Sequence, residues 1–278
     1  MLRVTKADGS TELYNREKIF ATCRKLGADE ASAALVVESV ERHLYEGIPT
    51  TKILGMVSKY VKQHRPLLGE RIDLKNALSL LRSKPDWETF VQLLFTELGY
   101  QVDRNQVIRG HCINCEIDAI LRKDNEQILA EAKHHSDQHT RVDLDTCRQV
   151  RAVVEDLADG YRQGLNDRQM TGSLIVSNTR FTEHALKYAQ CRGIGCLGWN
   201  MPEGKGINTL VEQKQFYPLT MLRRLDTKTQ EALGDAGIVL LKQLATTDLG
   251  DVADKTGVDR TRLQELSTSG WYIIHEDR

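Results

Sequence analysis

Apolar residues in the first quarter of the chain fall three and four apart, the spacing of helices that bury one face. The stretches Glu17 to Leu26, Ala31 to Tyr45 and Thr50 to Gln63 carry it, and Thr50 offers an N-cap oxygen to the third. Ahead of them, LRVTKADGSTELYN places two strand-like pieces on either side of Asp8-Gly9, which predicts a tight hairpin. In His64-Arg65-Pro66 the proline pushes its predecessor out of the helical region and ends the third helix. A bridging helix over 70–81 then leads onward.

Beyond residue 82 strand and helix signals alternate, as a mixed α/β core requires. Trp87 to Leu98 reads as a helix stopped by Gly99, and strands follow near 100–109, 115–122 and 127–133. A long helix from Val142 to Gly160, a strand SLIVS, a helix from Thr182 to Cys191 and a strand from Ile194 to Leu197 complete the order αβββαβαβ. The rest is helical, with apolar blocks punctuated by glycine in LGDAGIVLLKQLA and LGDVADKTGVDRTRLQELSTSG. The fold class expected is therefore multidomain α/β: an α-rich unit with a β-hairpin over 1–82, a mixed-sheet core over 83–205 and a helical domain over 206–278. No low-complexity linker parts them, so they should pack together.

Length and composition fit this division. At 278 residues the chain has material for two or three cores, and 40% hydrophobic with 28% charged is globular composition without a membrane-spanning run. The amino terminus lacks the apolar stretch of a secretory signal, which predicts a cytoplasmic protein whose six cysteines are reduced. A net charge of −1 argues against binding nucleic acid by bulk charge but allows a local basic groove.

The candidate chemistry sits in the core. EIDAIL and ILAEAK read as adjacent strands joined by RKDNEQ, and alternation puts Glu131 and Lys133 on one face with Asp118 within reach. Two carboxylates suit Mg²⁺, which also takes water and substrate phosphate, and the lysine can orient or deprotonate an attacking water. The run WETFVQLLFTELGYQV, EIDAIL, ILAEAK and SLIVSNTRFTEHALKYAQCRGIGCLGW resembles the Mrr-like branch of the PD-(D/E)xK restriction endonucleases. That resemblance implies a restriction-endonuclease-like fold and DNA as substrate. It assigns catalytic roles to Asp118, Glu131 and Lys133, adds Glu88 on the first helix as a third metal ligand, and puts Gln149 near the metal or phosphate.

Residues 1–66 are similar to the ATP-cone, a regulatory nucleotide-binding module, through VTKADGSTELYNREKI and EGIPTTKI. The resemblance implies ATP or dATP held by Val4, Lys6, Lys18, Ile19 and Thr50, with Asp8 and Gly9 shaping the hairpin. Ala7 stands where the module has an arginine, and Leu54 where some members have a histidine; both departures would weaken phosphate binding or alter base preference. The tail resembles helix-hairpin-helix repeats, whose backbone amides at turns such as Gly237 and Gly257 hold DNA phosphates.

Cys112-x2-Cys115 and Cys191-x4-Cys196 have zinc-like spacings, yet they flank strands and an apolar helix where cysteine is an ordinary core residue, so no zinc is expected. His134, His135 and His139 read as a polar loop beside the site. The function expected is a Mg²⁺-dependent DNA endonuclease responsive to ATP or dATP; the alternative is a catalytically silent, nucleotide-responsive DNA-binding protein. The partners expected are DNA, adenine nucleotide and further copies of the chain in a homo-oligomer, with no membrane.

Overall fold

The computed structural model describes residues 2–6, 9–26, 28, 30–64 and 71–275. The turn residue Asp8, the departing Ala7, the Arg65-Pro66 helix stop and the start of the bridging helix at Glu70 lie outside them.

The hairpin forms from β1 (Arg3–Thr5) and β2 (Thr11–Leu13), which are antiparallel. Three helices follow as expected: α1 (Arg16–Lys25), α2 (Glu30–Glu41) and α3 (Thr50–His64). Asn15 caps α1 by accepting from the amides of Glu17 and Lys18. A short strand β3 (Ile48–Pro49), too brief to give a period, pairs parallel with β1, and the second helix ends at Glu41, short of its expected end at Tyr45. Val4, Ile19, Val36, Val37, Val40, Ile48, Ile53 and Val57 close a core belonging to this unit alone. The bridging helix is reduced to α4 (Leu74–Ser79), capped by Asp73.

A turn over Ser83–Trp87 enters α5 (Glu88–Glu97), and then come β4 (Gln101–Arg109), β5 (Asn114–Lys123) and β6 (Glu126–Lys133). The short strand β7 (Arg141–Val142) precedes α6 (Leu144–Arg162), whose N-cap is Asp143. β8 (Gly172–Ser177), β9 (Arg180–Phe181), α7 (Glu183–Arg192) and β10 (Ile194–Leu197) finish the expected order, with the small β7–β9 pair as an addition. The main sheet runs β10-β8-β6-β5-β4; β4, β5 and β6 are antiparallel neighbours, whereas β6, β8 and β10 are parallel. One face packs on α6 and α7 through Ile120, Leu129, Val150, Leu157, Ile175 and Ala185.

The other face is covered by α5 together with the tail: α8 (Ile207–Gln213), α9 (Thr227–Asp235), α10 (Leu241–Thr246), α11 (Leu249–Thr256) and α12 (Arg260–His275). Trp87, Phe90, Leu94, Leu121 and Val176 share one core with Phe216, Leu233, Leu244 and Leu263, so the tail completes the sheet's burial. A clamp ties α9 to the turn before α5. Asp86, 1% exposed, accepts from Arg82 Nη2 at 2.7 Å and Nε at 3.1 Å, and Arg82 also reaches Asp235 at 2.9 Å. Gly234 allows this approach, because a Cβ there would lie 2.1 Å from Asp86 Oδ1. Among the described residues no helix is long and apolar enough to cross a membrane.

Candidate active site

The site grows from a place where the sheet opens. The ladder between β5 and β6 ends at Ala119 and Ala130, and past it the amide of Ala132 donates to the side chain of Asp118, 2.9 Å to Oδ2. The carboxylate thus stands where a neighbouring strand would continue. Glu131 and Lys133 follow on the same strand end, where β6 remains paired with β8 as far as Lys133 and Ser177.

From above, α5 presents Glu88 at its first turn. Glu88 is 8% exposed and takes an ion pair from Lys84, Nζ to Oε1 at 2.8 Å; the same ammonium lies 3.8 Å from Asp118 Oδ1. Lys84, Glu88, Glu116 and Asp118 line a cleft of about 480 Å³ with Asn105, Gln106 and Val107. Sequence reasoning missed Lys84, because it occupies no motif position and reaches Glu88 from a non-helical turn residue, which leaves no periodic signal.

The electrostatics follow from crowding carboxylates in a half-buried place. Burial, reinforced by the charge of Asp118, pushes Glu131 up from 4.5 to about 7, with Lys133 and Lys84 opposing. Burial also raises Glu88, against the hydrogen bond from Lys84. Lys84 in turn is raised, first by its bond to Glu88 and then by the other acids of the cleft. Such a site is short of positive charge.

Of the residues expected from sequence, Glu88, Asp118, Glu131 and Lys133 interact as one group. Gln149 does not join it: it is exposed on α6 and takes no part in the hydrogen bonds of the cluster. Among the described residues no three His, Cys, Asp or Glu side chains are arranged so as to hold a metal ion. The histidines divide. His134 bonds to the Leu78 carbonyl at 3.0 Å and to Ser83 at 3.2 Å, which staples the end of β6 to the turn carrying Lys84. His135 is fixed through its backbone by Asn178, and His139 is exposed in the loop. Cys112 and Cys115 gather around Asp156, while Cys196 lies beside Cys147.

In the N-terminal unit, Val4, Lys18, Ile19, Thr50 and Leu54 line a second cleft of about 140 Å³ together with Glu12 and Tyr14. Glu12 sits between the two expected phosphate clamps, at 3.0 Å from Lys6 and 3.0 Å from Lys18, which hold its carboxyl below the usual range. In the tail both glycine turns form, with φ of +78° at Gly237 and +70° at Gly257. Their amides, however, donate to the Gly234 and Ala253 carbonyls, so they serve helix ends rather than an open phosphate nest.

Residues 82–196 match the restriction endonuclease family Mrr_cat. An uncharacterized protein of Archaeoglobus fulgidus is 32% identical over 154 residues, which span 55% of this chain and 82% of that protein. The crystal structure of AF1548, a protein of unknown function, superposes with a TM-score of 0.59 at 29% identity, covering 67% of this chain and 96% of its own. Can2 from Sulfobacillus thermosulfidooxidans, in complex with cyclic tetra-adenylate, gives a TM-score of 0.34 at 12% identity over 72% of this chain and 55% of that one, too distant to carry an argument.

Proposed function

We propose that this chain, which belongs to the same family as the archaeal protein and carries a restriction endonuclease domain over residues 82–196, is a Mg²⁺-dependent DNA endonuclease. The observation that carries the reading is Asp118, held by the Ala132 amide where the sheet opens, with Glu88 and Lys84 beside it in the same cleft and Glu131 within electrostatic reach of it.

The donor set fits a hard divalent cation. Its oxygens are carboxylates, one or two of which suffice for Mg²⁺ in company with water and phosphate. The ammonium of Lys84 already lies against Glu88 and Asp118, as a cation held there would. Asp118 and Glu131 would be the direct ligands, with Glu88 beside them. Bound there, the metal supplies charge stabilisation at the scissile phosphate and an acidified water. Asp118 is pre-aligned for this by the Ala132 amide. Lys133, which makes no ion pair within 4 Å among the described residues, is available to orient the attacking water. Lys84, 69% exposed, can swing from Glu88 to the phosphate backbone.

The test is plasmid cleavage by purified protein with Mg²⁺, with and without adenine nucleotide, beside Lys133→Ala. Nicked and linear products that disappear with chelator and with the variant are expected. Equal cleavage by wild type and variant would overturn the reading.

For the N-terminal unit the same reading adds ATP or dATP as a regulatory ligand of the Lys6 and Lys18 pair. Its support is the cleft lined by Lys18 and Glu12, and the carboxylate of Glu12 held between Lys18 and Lys6. At about 140 Å³ the cleft is smaller than the ~300 Å³ of ordinary ligand sites, so nucleotide must displace Glu12 and should bind weakly, with a Kd on the order of 10–100 μM. Calorimetry checks this: no heat at millimolar nucleotide, or unchanged affinity in a Lys6→Ala/Lys18→Ala variant, would leave the unit as a scaffold.

A further inference from the structure

The β4–β5 ladder pairs Arg104 with Ala119 and Gln106 with Ile117, and skips Asn105 and Asp118 between them. Asn105 marks the break: its φ of +46° takes it into the left-handed region, which asparagine tolerates better than most residues, and its pairing is interrupted while the register is the same on both sides. Asp118, the acid at the centre of the candidate site, therefore loses a strand partner on this side. On the other side its ladder with β6 has also ended. An acid flanked by two interrupted ladders needs another means of fixing its backbone.

That means is Gln92. Its Nε2 donates to the Asp118 carbonyl at 2.9 Å and to Asn105 Oδ1 at 2.8 Å, so one side-chain amide bridges the skipped pair. Gln92 is 3% exposed and stands four residues after Glu88, hence on the same face of α5. The helix thereby delivers two groups to one strand position: a carboxylate at the mouth of the cleft and an amide beneath it.

We propose that Gln92 is the positioning residue of Asp118. It touches neither substrate nor metal; it holds the peptide of Asp118 so that the carboxylate stays on the Ala132 amide and faces the cleft. The catalytic meaning of this role rests on the nuclease reading above, whereas the geometric role does not, and the two are tested separately.

Gln92→Met keeps the side-chain length without either donor, and Gln92→Glu keeps the shape but replaces the donors by acceptors. The first readout is hydrogen exchange at the Ala132 amide. In both variants it should exchange at least ~10-fold faster, while the ladder amides of Leu129 and Ala130 keep their protection, which marks a local release. The second is duplex cleavage with Mg²⁺: kcat should fall by ~10-fold or more with KM within about twofold, as expected when geometry is lost and binding is not. Thr96→Ala, which removes a hydroxyl bonded to the backbone of the same Gln92, should change neither. Unaltered Ala132 protection in a folded variant overturns the proposal, as does uniform loss of protection with kcat unchanged. Should a variant fail to fold, the wild type still decides: the side-chain amide hydrogens of Gln92 should exchange at least ~10-fold more slowly than those of exposed Gln149, and equal rates overturn the proposal. Release of Ala132 in a protein whose wild type cuts nothing would sink the nuclease reading and leave the positioning role standing.

Discussion

Replacing Glu131 by glutamine should make the protein more stable at alkaline pH and leave its stability in mild acid unchanged. The carboxyl is lifted from 4.5 to about 7, chiefly by burial and by Asp118. Between those two values the folded chain holds a proton that the unfolded chain releases, so stability is highest at or below pH 4.5 and declines as pH rises through 7. Keeping the group ionised costs ~3.4 kcal/mol at ~1.36 kcal/mol per pKa unit. Because Glu131 retains some contact with solvent, ~2–3 kcal/mol is the figure to expect at pH 8.5. Glu131→Gln removes the charge and keeps the shape. Urea unfolding of wild type and variant should diverge by that amount at pH 8.5 and coincide near pH 4.5. Added Mg²⁺ should close the gap from the wild-type side, since a cation at 100 times its Kd stabilises by ~2.7 kcal/mol. A gap of equal size at both pH values, or a wild type more stable than the variant at pH 8.5 without metal, would refute the argument that crowded, buried charge dominates this site.

Asp118→Ala and Glu131→Ala should each abolish Mg²⁺-dependent cleavage, by at least ~10³-fold in kcat, with circular dichroism unchanged. Gly234→Ala should destabilise the protein by ~2–4 kcal/mol in urea, because the added methyl meets Asp86 Oδ1 at 2.1 Å and Arg82 Nη2 at 2.5 Å; a change under ~0.5 kcal/mol would show the clamp to be loose. Glu12→Gln should tighten ATP binding ~3–10-fold by calorimetry, since the nucleotide no longer displaces a carboxylate from Lys6 and Lys18. Protein purified without added metal should carry no zinc by elemental analysis; one zinc per chain, lost in Cys112→Ser, would reverse that expectation.

What the sequence made legible was whatever depends on local periodicity. The three N-terminal helices, the EIDAIL and ILAEAK strands and the helix α7 that ends at Gly193 all announce themselves through spacing, and the alternation that put Asp118 within reach of Glu131 rests on the same regularity. Features set by irregular backbone were not legible. Lys84 reaches Glu88 from a turn, and the skipped pair at Asn105 is what recruits Gln92; neither leaves a period. Gln149 shows the converse. A motif position was filled, yet α6 turns that residue to solvent, because which face a helix buries depends on what packs against it.

The tail illustrates how a segment without site residues of its own can still govern the site. Its glycine turns have their amides engaged in helix ends, which removes the feature that suggested a phosphate grip. Its apolar side chains instead share the core of the sheet face that α5 covers. Through α9 it also holds Arg82 and Asp86, immediately before Lys84 and Glu88, with Asp235 and the Glu231 carbonyl both taking Arg82 Nη2. The pose of α5 is thus set from two directions, by the sheet beneath it and by the tail at its start. Glu88 and Gln92 both reach Asp118 from this helix, so the contacts at α9 and those with the sheet bear on the same element that carries the site's first acid.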